Sequence, residues 1–284
     1  MSEIQSIQWF PGHMTKTKRK IAECLKLIDI VAEIVDARVP KSSRNPDLDS
    51  LIVNKPRIII LNKSDMADQN KTIDWLNYYK NNGISAISVD CKSGKGINLF
   101  VPTVKSILND KIEKAKSKGI NKNLSIMVVG IPNVGKSSFI NRLSNGKKAK
   151  VEDRPGVTRG NQWFTISKGV ELLDTPGVLW PKFDDMSVGE KLAFTGAIKD
   201  QILDIEQLAT RLLEFLNEKY QNNLIHRFKL ENINIAEKSG AELLYIIGKK
   251  RGMLVSGGNI DTERTAIMIL DEFRNTKLGR ITLD

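Results

Sequence analysis

The sequence predicts an α/β domain built on a mixed, mostly parallel sheet, followed by an all-helical C-terminal domain. Three observations carry this. Short apolar runs of strand length alternate with amphipathic helical stretches over the first part of the chain, the pattern of a sheet covered on both faces. The loop Gly130 to Ser137, Gly-Ile-Pro-Asn-Val-Gly-Lys-Ser, fits the phosphate-loop pattern G-x-x-x-x-G-K-[ST] at every fixed position, between the apolar run Leu124 to Val129 and a helical stretch from Ser138 to Leu143. From Met186 onward apolar residues recur at helical spacing. The boundary is expected at 183/184, giving domains 1–183 and 184–284.

Composition bounds the reading. The 284 residues are enough for about two domains with separate cores, and 40% apolar with 27% charged content is that of a globular protein. No apolar run approaches the ~20 residues that span a bilayer, and the N-terminus lacks an export signal, so no membrane association and a cytoplasmic location are expected. Cys24 and Cys91 lie far apart without metal-ligand spacing and read as free thiols. The net charge of +11 is one-sided: residues 185–284 hold 14 Lys and Arg against 15 Asp and Glu, so residues 1–184 hold 30 against 18. The excess gathers in Lys16–Lys26, Lys105–Lys122 and Arg142–Arg154, which points to a polyanion, most simply nucleic acid, although a solvated Lys-rich face gives the same count.

The chain opens on Trp9-Phe10-Pro11-Gly12-His13-Met14, turn chemistry after two large aromatics, in which His13 is compatible with an ordinary turn histidine. A basic amphipathic helix from about Thr15 to Leu27 turns Ile21, Leu25 and Ile28 to one face. Ile30 to Val35 is a strand ending in Asp36-Ala37-Arg38, and Val39 to Pro46 is a polar loop. Arg57 to Leu61 is a fully apolar strand that runs into Asn62-Lys63-Ser64-Asp65. Beside a phosphate loop, N-K-x-D after a buried strand decides the base. Asp65 accepts from the N1–H and N2–H₂ of guanine, Asn62 contacts the base edge, and the Lys63 stem packs on its face. Adenine would leave the Asp65 carboxylate unpaired, so GTP or GDP is expected, not ATP. A helix with Ile73, Leu76 and Tyr78 or Tyr79 on its apolar side follows, then a strand at Ile84 to Val89. Asp90-Cys91-Lys92-Ser93-Gly94 stands where GTPases carry S-A-K, with a backbone role toward the guanine carbonyl, and Asn98 to Lys118 reads as one helix.

At the phosphate loop, Gly130 and Gly135 let backbone N–H groups turn inward on a polyphosphate, and Pro132, Asn133, Val134 and Ser138 complete the nucleotide-contacting set. Lys136 brings charge to the β and γ phosphates, Ser137 is placed for Mg²⁺, and the following helix adds its N-terminal dipole. Beyond it, Thr158 stands where a first switch holds Mg²⁺ and the γ phosphate. Trp163–Ile166 and Val170–Leu173 form a hairpin leading into Asp174-Thr175-Pro176-Gly177, the D-x-x-G of a second switch, with Asp174 toward Mg²⁺ and the Gly177 N–H toward the γ phosphate. Catalytic candidates are therefore Lys136, Thr158 and Gly177. In the C-terminal domain, Asp204 with Gln207 caps a helix whose stripe is Ile205, Leu208, Leu212, Phe215 and Leu216, and Glu237–Ile247 and Thr262–Phe273 are two further helices. Lys249-Lys250-Arg251 suits either a phosphate or a helix C-terminus, and Ser256-Gly257-Gly258-Asn259 reads as a turn.

The base-reading motif thus precedes the phosphate loop, whereas GTPases ordinarily meet it afterwards: the domain is a circularly permuted P-loop GTPase domain. The second switch then runs directly into the helical domain, which should feel loss of the γ phosphate. With W-F-P-G-H-M, D-A-R-x-P (Asp36–Pro40), S-R-N-P (Ser43–Pro46) and L-D-T-P-G-V-L-W-P-K (Leu173–Lys182), the chain resembles, over its whole length, the circularly permuted ribosome-assembly GTPases of the RbgA/YlqF type. The resemblance implies a factor that binds the large-subunit precursor and its rRNA, and whose slow GTP hydrolysis is stimulated by the subunit and releases it; a monomer without DNA specificity is expected. It also implies a water-positioning role for His13, since Val178 replaces the glutamine that many GTPases carry after D-x-x-G, and a K⁺ site at Asn133. The competing reading is a nucleotide-gated RNA-binding module with little catalysis of its own.

Overall fold

The computed structural model describes residues 19, 21–52, 55–144, 162–175, 185–198, 200 and 204–284, which fall into two compact units, one of the described residues up to 175 together with Asp284 and the other running from 185 to 283. The first is a six-stranded sheet. In chain order its strands are β1 (Ile30–Asp36), β2 (Arg57–Asn62), β3 (Ser85–Ser88), β4 (Leu124–Val129), β5 (Gln162–Ser167) and β6 (Val170–Asp174), and in space they run β3-β2-β1-β4-β6-β5. All neighbours are parallel except β5, which folds back antiparallel on β6 through the 168–169 turn. β1 and β4 are buried at every position because helices cover both faces, hence their unbroken apolar reading. The topology places β1 between the strand that ends in the base-reading motif and the strand that ends in the phosphate loop. Both loops leave the same carboxyl edge of the sheet, where open α/β sheets hold their ligands.

Residues 21–25 are helical, and Ile21, Cys24, Leu25 and Ile28 pack with Met127, Val129 and Trp163 on one face. Three local expectations are corrected. The loop after β1 ends in a helix, Pro46–Leu51, that Asn45 caps by accepting from the Asp47 N–H, with Pro46 in the first turn. The helix Gln69–Asn81 buries Thr72 and Tyr79 with Trp75 and Leu76 partly covered, an i, i+3, i+4, i+7 stripe that leaves Ile73 and Tyr78 about half exposed. The single helix expected over 98–118 is a 3₁₀ turn, Ile97–Leu99, followed by two helices, Phe100–Ile107 and Asn109–Lys116. They divide at Leu108 (φ −97, ψ 11), just before Asn109-Asp110, residue types that favour helix starts over interiors.

In the second unit the described residues form the helices Met186–Phe194, Ile205–Lys219, Gln221–Phe228, Gly240–Lys250 and Thr262–Arg274, with an isolated bridge from Leu254 to Ile260. Asp204 caps its helix through the Gln207 N–H, and Ser239 with Glu242 makes a complete capping box. Leu208, Leu212, Leu213 and Leu216 line the core, with Ile205 and Phe215 at its margin. Arg251 stands over the Phe228 ring and pairs with Glu272, and residues 255–259 close a turn in which the Val255 N–H donates to the Asn259 carbonyl. Among the described residues no helix is long and apolar enough to cross a membrane.

Candidate nucleotide site

Two sequence-distant loops are joined by side chains. Asn62 ends β2 and is buried. Its Nδ2 donates to the Val134 carbonyl at 2.8 Å, and its Oδ1 accepts from the Cys91 N–H at 3.4 Å. One amide therefore braces the base-reading turn against both the phosphate loop and the loop at 90–94. Lys63, at φ 60, sends its ammonium to the Asn133 carbonyl at 2.7 Å and to Asp36 Oδ2 at 2.9 Å. Asp65 follows in the same turn, which the Ser64 N–H ties to the Val89 carbonyl.

The phosphate loop itself depends on two glycines. Gly130 lies at φ 151, and a Cβ there would stand 2.5 Å from the Ile34 carbonyl; Gly135 lies at φ 96, and its Cβ would meet Asn62 Nδ2 at 2.3 Å. Side chains are excluded on steric grounds at both positions, and the loop packs tightly on β1 and β2. Gly135 caps the helix Lys136–Leu143, so the free N–H groups of that helix open toward the loop. Pro132 is half-buried, Asn133, Ser137 and Ser138 are exposed, and Val134 is buried against Gly130. Lys136 Nζ donates to the carbonyls of Gly130 (3.0 Å) and Ile131 (2.8 Å), which accept it from inside the loop's own curl.

The family described as 50S ribosome-binding GTPases matches residues 125–248, from the phosphate-loop strand onward. Over the whole chain, the Priestia megaterium protein named ribosome biogenesis GTPase A is 51% identical across 281 residues, 98% of this chain and 96% of its own length. The chain belongs to the ribosome biogenesis GTPase A family. Two solved structures are similar to it, the GDP-bound TM YlqF (TM-score 0.70, 27% identity, 94% of this chain and 98% of that one) and the GNP-bound YlqF from T. maritima (TM-score 0.65, 28% identity, 95% and 97%). The family match that starts only at β4 agrees with the permuted order, since the base-reading turn lies before it.

Electrostatics set Lys136 and Asp174 apart in this ribosome biogenesis GTPase A family member. Burial pulls the Lys136 ammonium down to about 8, against which the Asp174 charge acts upward. Burial likewise raises the Asp174 carboxyl, only partly offset by Lys136. Asp174 Oδ1 is buried and accepts no hydrogen bond, while the next residue, Thr175, donates from Oγ1 to the Val128 carbonyl at 2.6 Å and so ties this segment to the phosphate-loop strand. An underprotected cation and an orphaned anionic oxygen at one sheet edge fit a site made for a polyphosphate and a divalent cation. His13, Thr158, Gly177 and Val178 lie outside the described residues.

The loop at 90–94 is held from within. Burial would raise the Asp90 carboxyl, but Ser93 and the Lys92 N–H hold it below its ordinary value. Cys91 is pushed up to about 12 by burial and the neighbouring Asp90, a thiol that stays protonated. Arg142, on the phosphate-loop helix, donates to the Ser93 carbonyl, and the two elements border an open pocket of about 870 Å³ lined by Cys91, Asn98, Ser138 and Arg142 among others. Arg142 as a latch was not foreseen; its local signal is the i+4 spacing from Ser138, one helical turn further along the face that Ser138 begins. Asp36 and Arg38 likewise had no expected role in the site.

Proposed function

We propose that the chain is a GTP-hydrolysing assembly factor for the large ribosomal subunit, which binds the subunit precursor and its rRNA in the GTP state and leaves on hydrolysis. The observation that carries the guanine site is the double tie of Asn62 to the Val134 carbonyl and Lys63 to the Asn133 carbonyl, which sets a base-reading turn beside a phosphate loop 70 residues further along the chain. In this reading Asp65 selects guanine, with the 90–92 backbone at its edge. Gly130, Pro132, Asn133, Val134, Gly135, Lys136, Ser137 and Ser138 cradle the phosphates. Bound Mg²⁺ would neutralise charge on the β and γ oxygens, and Ser137 and Asp174 fit it, with Thr158 as the switch ligand. Asn133 is assigned to K⁺, and His13 with Gly177 to the attacking water and the γ phosphate. Residues 1–183 do this work and 184–284 contact RNA. The factor acts as a monomer in the cytoplasm. The ribosomal part of the proposal is supported by the names of the relatives and by the basic excess of residues 1–184.

The test is GTP turnover with Mg²⁺, in KCl and in NaCl, with and without large ribosomal subunits. Strong stimulation by subunits, dependent on K⁺ and lost in His13→Ala, is expected. Equal rates in the two salts remove the K⁺ site, and retained stimulation in His13→Ala removes that residue's role. Tight GTP-dependent binding to subunits without stimulation moves the function to a nucleotide-gated RNA binder.

A further inference from the structure

Asp36 and Arg38 carry full charges, yet each is only 2% exposed, in a position where neither can meet a phosphate from solution. Asp36 closes β1 and pairs in register with Asn62 of β2. Its Oδ1 accepts from the Arg38 backbone N–H and Nε, both at 3.0 Å. Its Oδ2 accepts from Arg38 Nη2 at 2.8 Å and from Lys63 Nζ at 2.9 Å. Burial works against the carboxylate, but Arg38 and Lys63 outweigh it and hold Asp36 far below the usual carboxylate range. The same Lys63 ammonium continues to the Asn133 carbonyl of the phosphate loop. Lys63 sits in the left-handed region at φ 60, a conformation that a β-carbon disfavours and that persists only where the surroundings fix it. Arg38 also feels the charge of Asp65. A buried ion pair of this kind is weak evidence for stability, since its desolvation offsets most of its attraction, whereas the bidentate fork fixes direction well.

We propose that Asp36 and Arg38 are positioning residues of the nucleotide site: Arg38 locks the Asp36 carboxylate, and Asp36 holds Lys63 on the Asn133 carbonyl, so that the base-reading turn and the phosphate loop stay in register before a nucleotide arrives. The proposal rests on the guanine reading of Asn62 to Asp65. A loop already held in its bound form loses less freedom on binding, so the pair acts on affinity and not on the chemical step. GDP and a non-hydrolysable GTP analogue should feel it alike, because the contact joins the base-reading turn to the backbone of the phosphate loop, which both nucleotides would use.

The experiment uses the full chain, with fluorescent GDP, fluorescent ADP and a fluorescent GTP analogue titrated against wild type, Asp36→Asn, Asp36→Asn/Arg38→Gln, Lys63→Met and the three substitutions combined, with melting curves of each. Asp36→Asn strands two cations and can unfold the domain. The double variant removes one cation together with the anion and keeps hydrogen-bonding side chains in place. The expected result is a folded double variant that binds GDP and the GTP analogue roughly ten- to hundredfold more weakly, with KM for GTP raised and kcat unchanged, and a combined variant no weaker than Lys63→Met alone. A folded double variant with wild-type affinity, or losses that add to those of Lys63→Met, overturns the positioning role. Wild type that binds ADP as tightly as GDP overturns instead the guanine reading beneath it.

Discussion

Replacing Gly135 by alanine tests how the phosphate loop and the base-reading turn are fitted together. Gly135 lies at φ 96, ψ 30, and an added Cβ would stand 2.3 Å from Asn62 Nδ2. Two separate effects follow. Placing a β-carbon in left-handed backbone costs roughly 1–2 kcal/mol. The collision moves the Asn62 amide off the Val134 carbonyl, and leaving a buried donor and acceptor unpaired adds about 1–3 kcal/mol. The helix-propensity gain of alanine does not apply, because Gly135 caps the helix and is not inside it. The sum, roughly 2–5 kcal/mol, is a large share of the ~5–15 kcal/mol that holds a typical domain together, yet leaves most variants folded. Urea unfolding followed by tryptophan fluorescence reads it. The decisive comparison is the same substitution in an Asn62→Ala background, where the colliding atom is gone and only the backbone part of about 1–2 kcal/mol should remain. GDP affinity should fall in Gly135→Ala by at least about tenfold, since the loop N–H groups shift with the displaced turn. A loss below about 1 kcal/mol, or the same loss with and without Asn62, would show that the close approach of these two loops is not what requires glycine.

Two further outcomes follow from other parts of the fold. Lys136 is held near 8 in the folded protein, below its ordinary value near 10.4. The unfolded chain therefore keeps a proton that the folded one lacks between about pH 8 and 10, so this group's penalty is fully present below pH 8 and is relieved as pH rises through that window. A polyphosphate restores the proton, so GDP binding should take up protons above pH 8 and weaken with rising pH by up to about tenfold per unit; calorimetry at pH 8.5 in buffers of different ionisation enthalpy checks this, and zero uptake refutes it. In the helical unit, Gly240 is the first residue of its helix, so Gly240→Ala gains little helix propensity, while its Cβ would lie 2.2 Å from the Thr210 carbonyl on the neighbouring helix, so the unit should unfold at lower denaturant without change in GDP affinity.

Much of the site could be read directly from the chain because phosphate and guanine recognition use local devices. A glycine-rich turn between a strand and a helix, and an N-K-x-D after a buried strand, each place their groups through backbone geometry within a few residues, and the strands around them declare themselves by unbroken apolar runs. The reversed order of those motifs was equally readable, and the sheet order β3-β2-β1-β4-β6-β5 carries it. The helix Pro46–Leu51 was missed: Asn45 and Pro46 mark its start, but its 6 residues are too few to show a helical period.

What the linear chain does not contain is which side chains meet across the sheet. Its residues determined that there is a phosphate loop, which base it is paired with and, to within a residue, where the strands start. Only the tertiary structure decided that the Asn62 amide serves Val134 and Cys91, that Lys63 stands between Asp36 and Asn133, and that Ile73 lies on the exposed side of its helix. Local spacing fixes the period of a helix or strand but not its phase against a partner, and a hydrogen bond between residues 70 positions apart exists only once β1 has brought β2 and β4 within reach of each other.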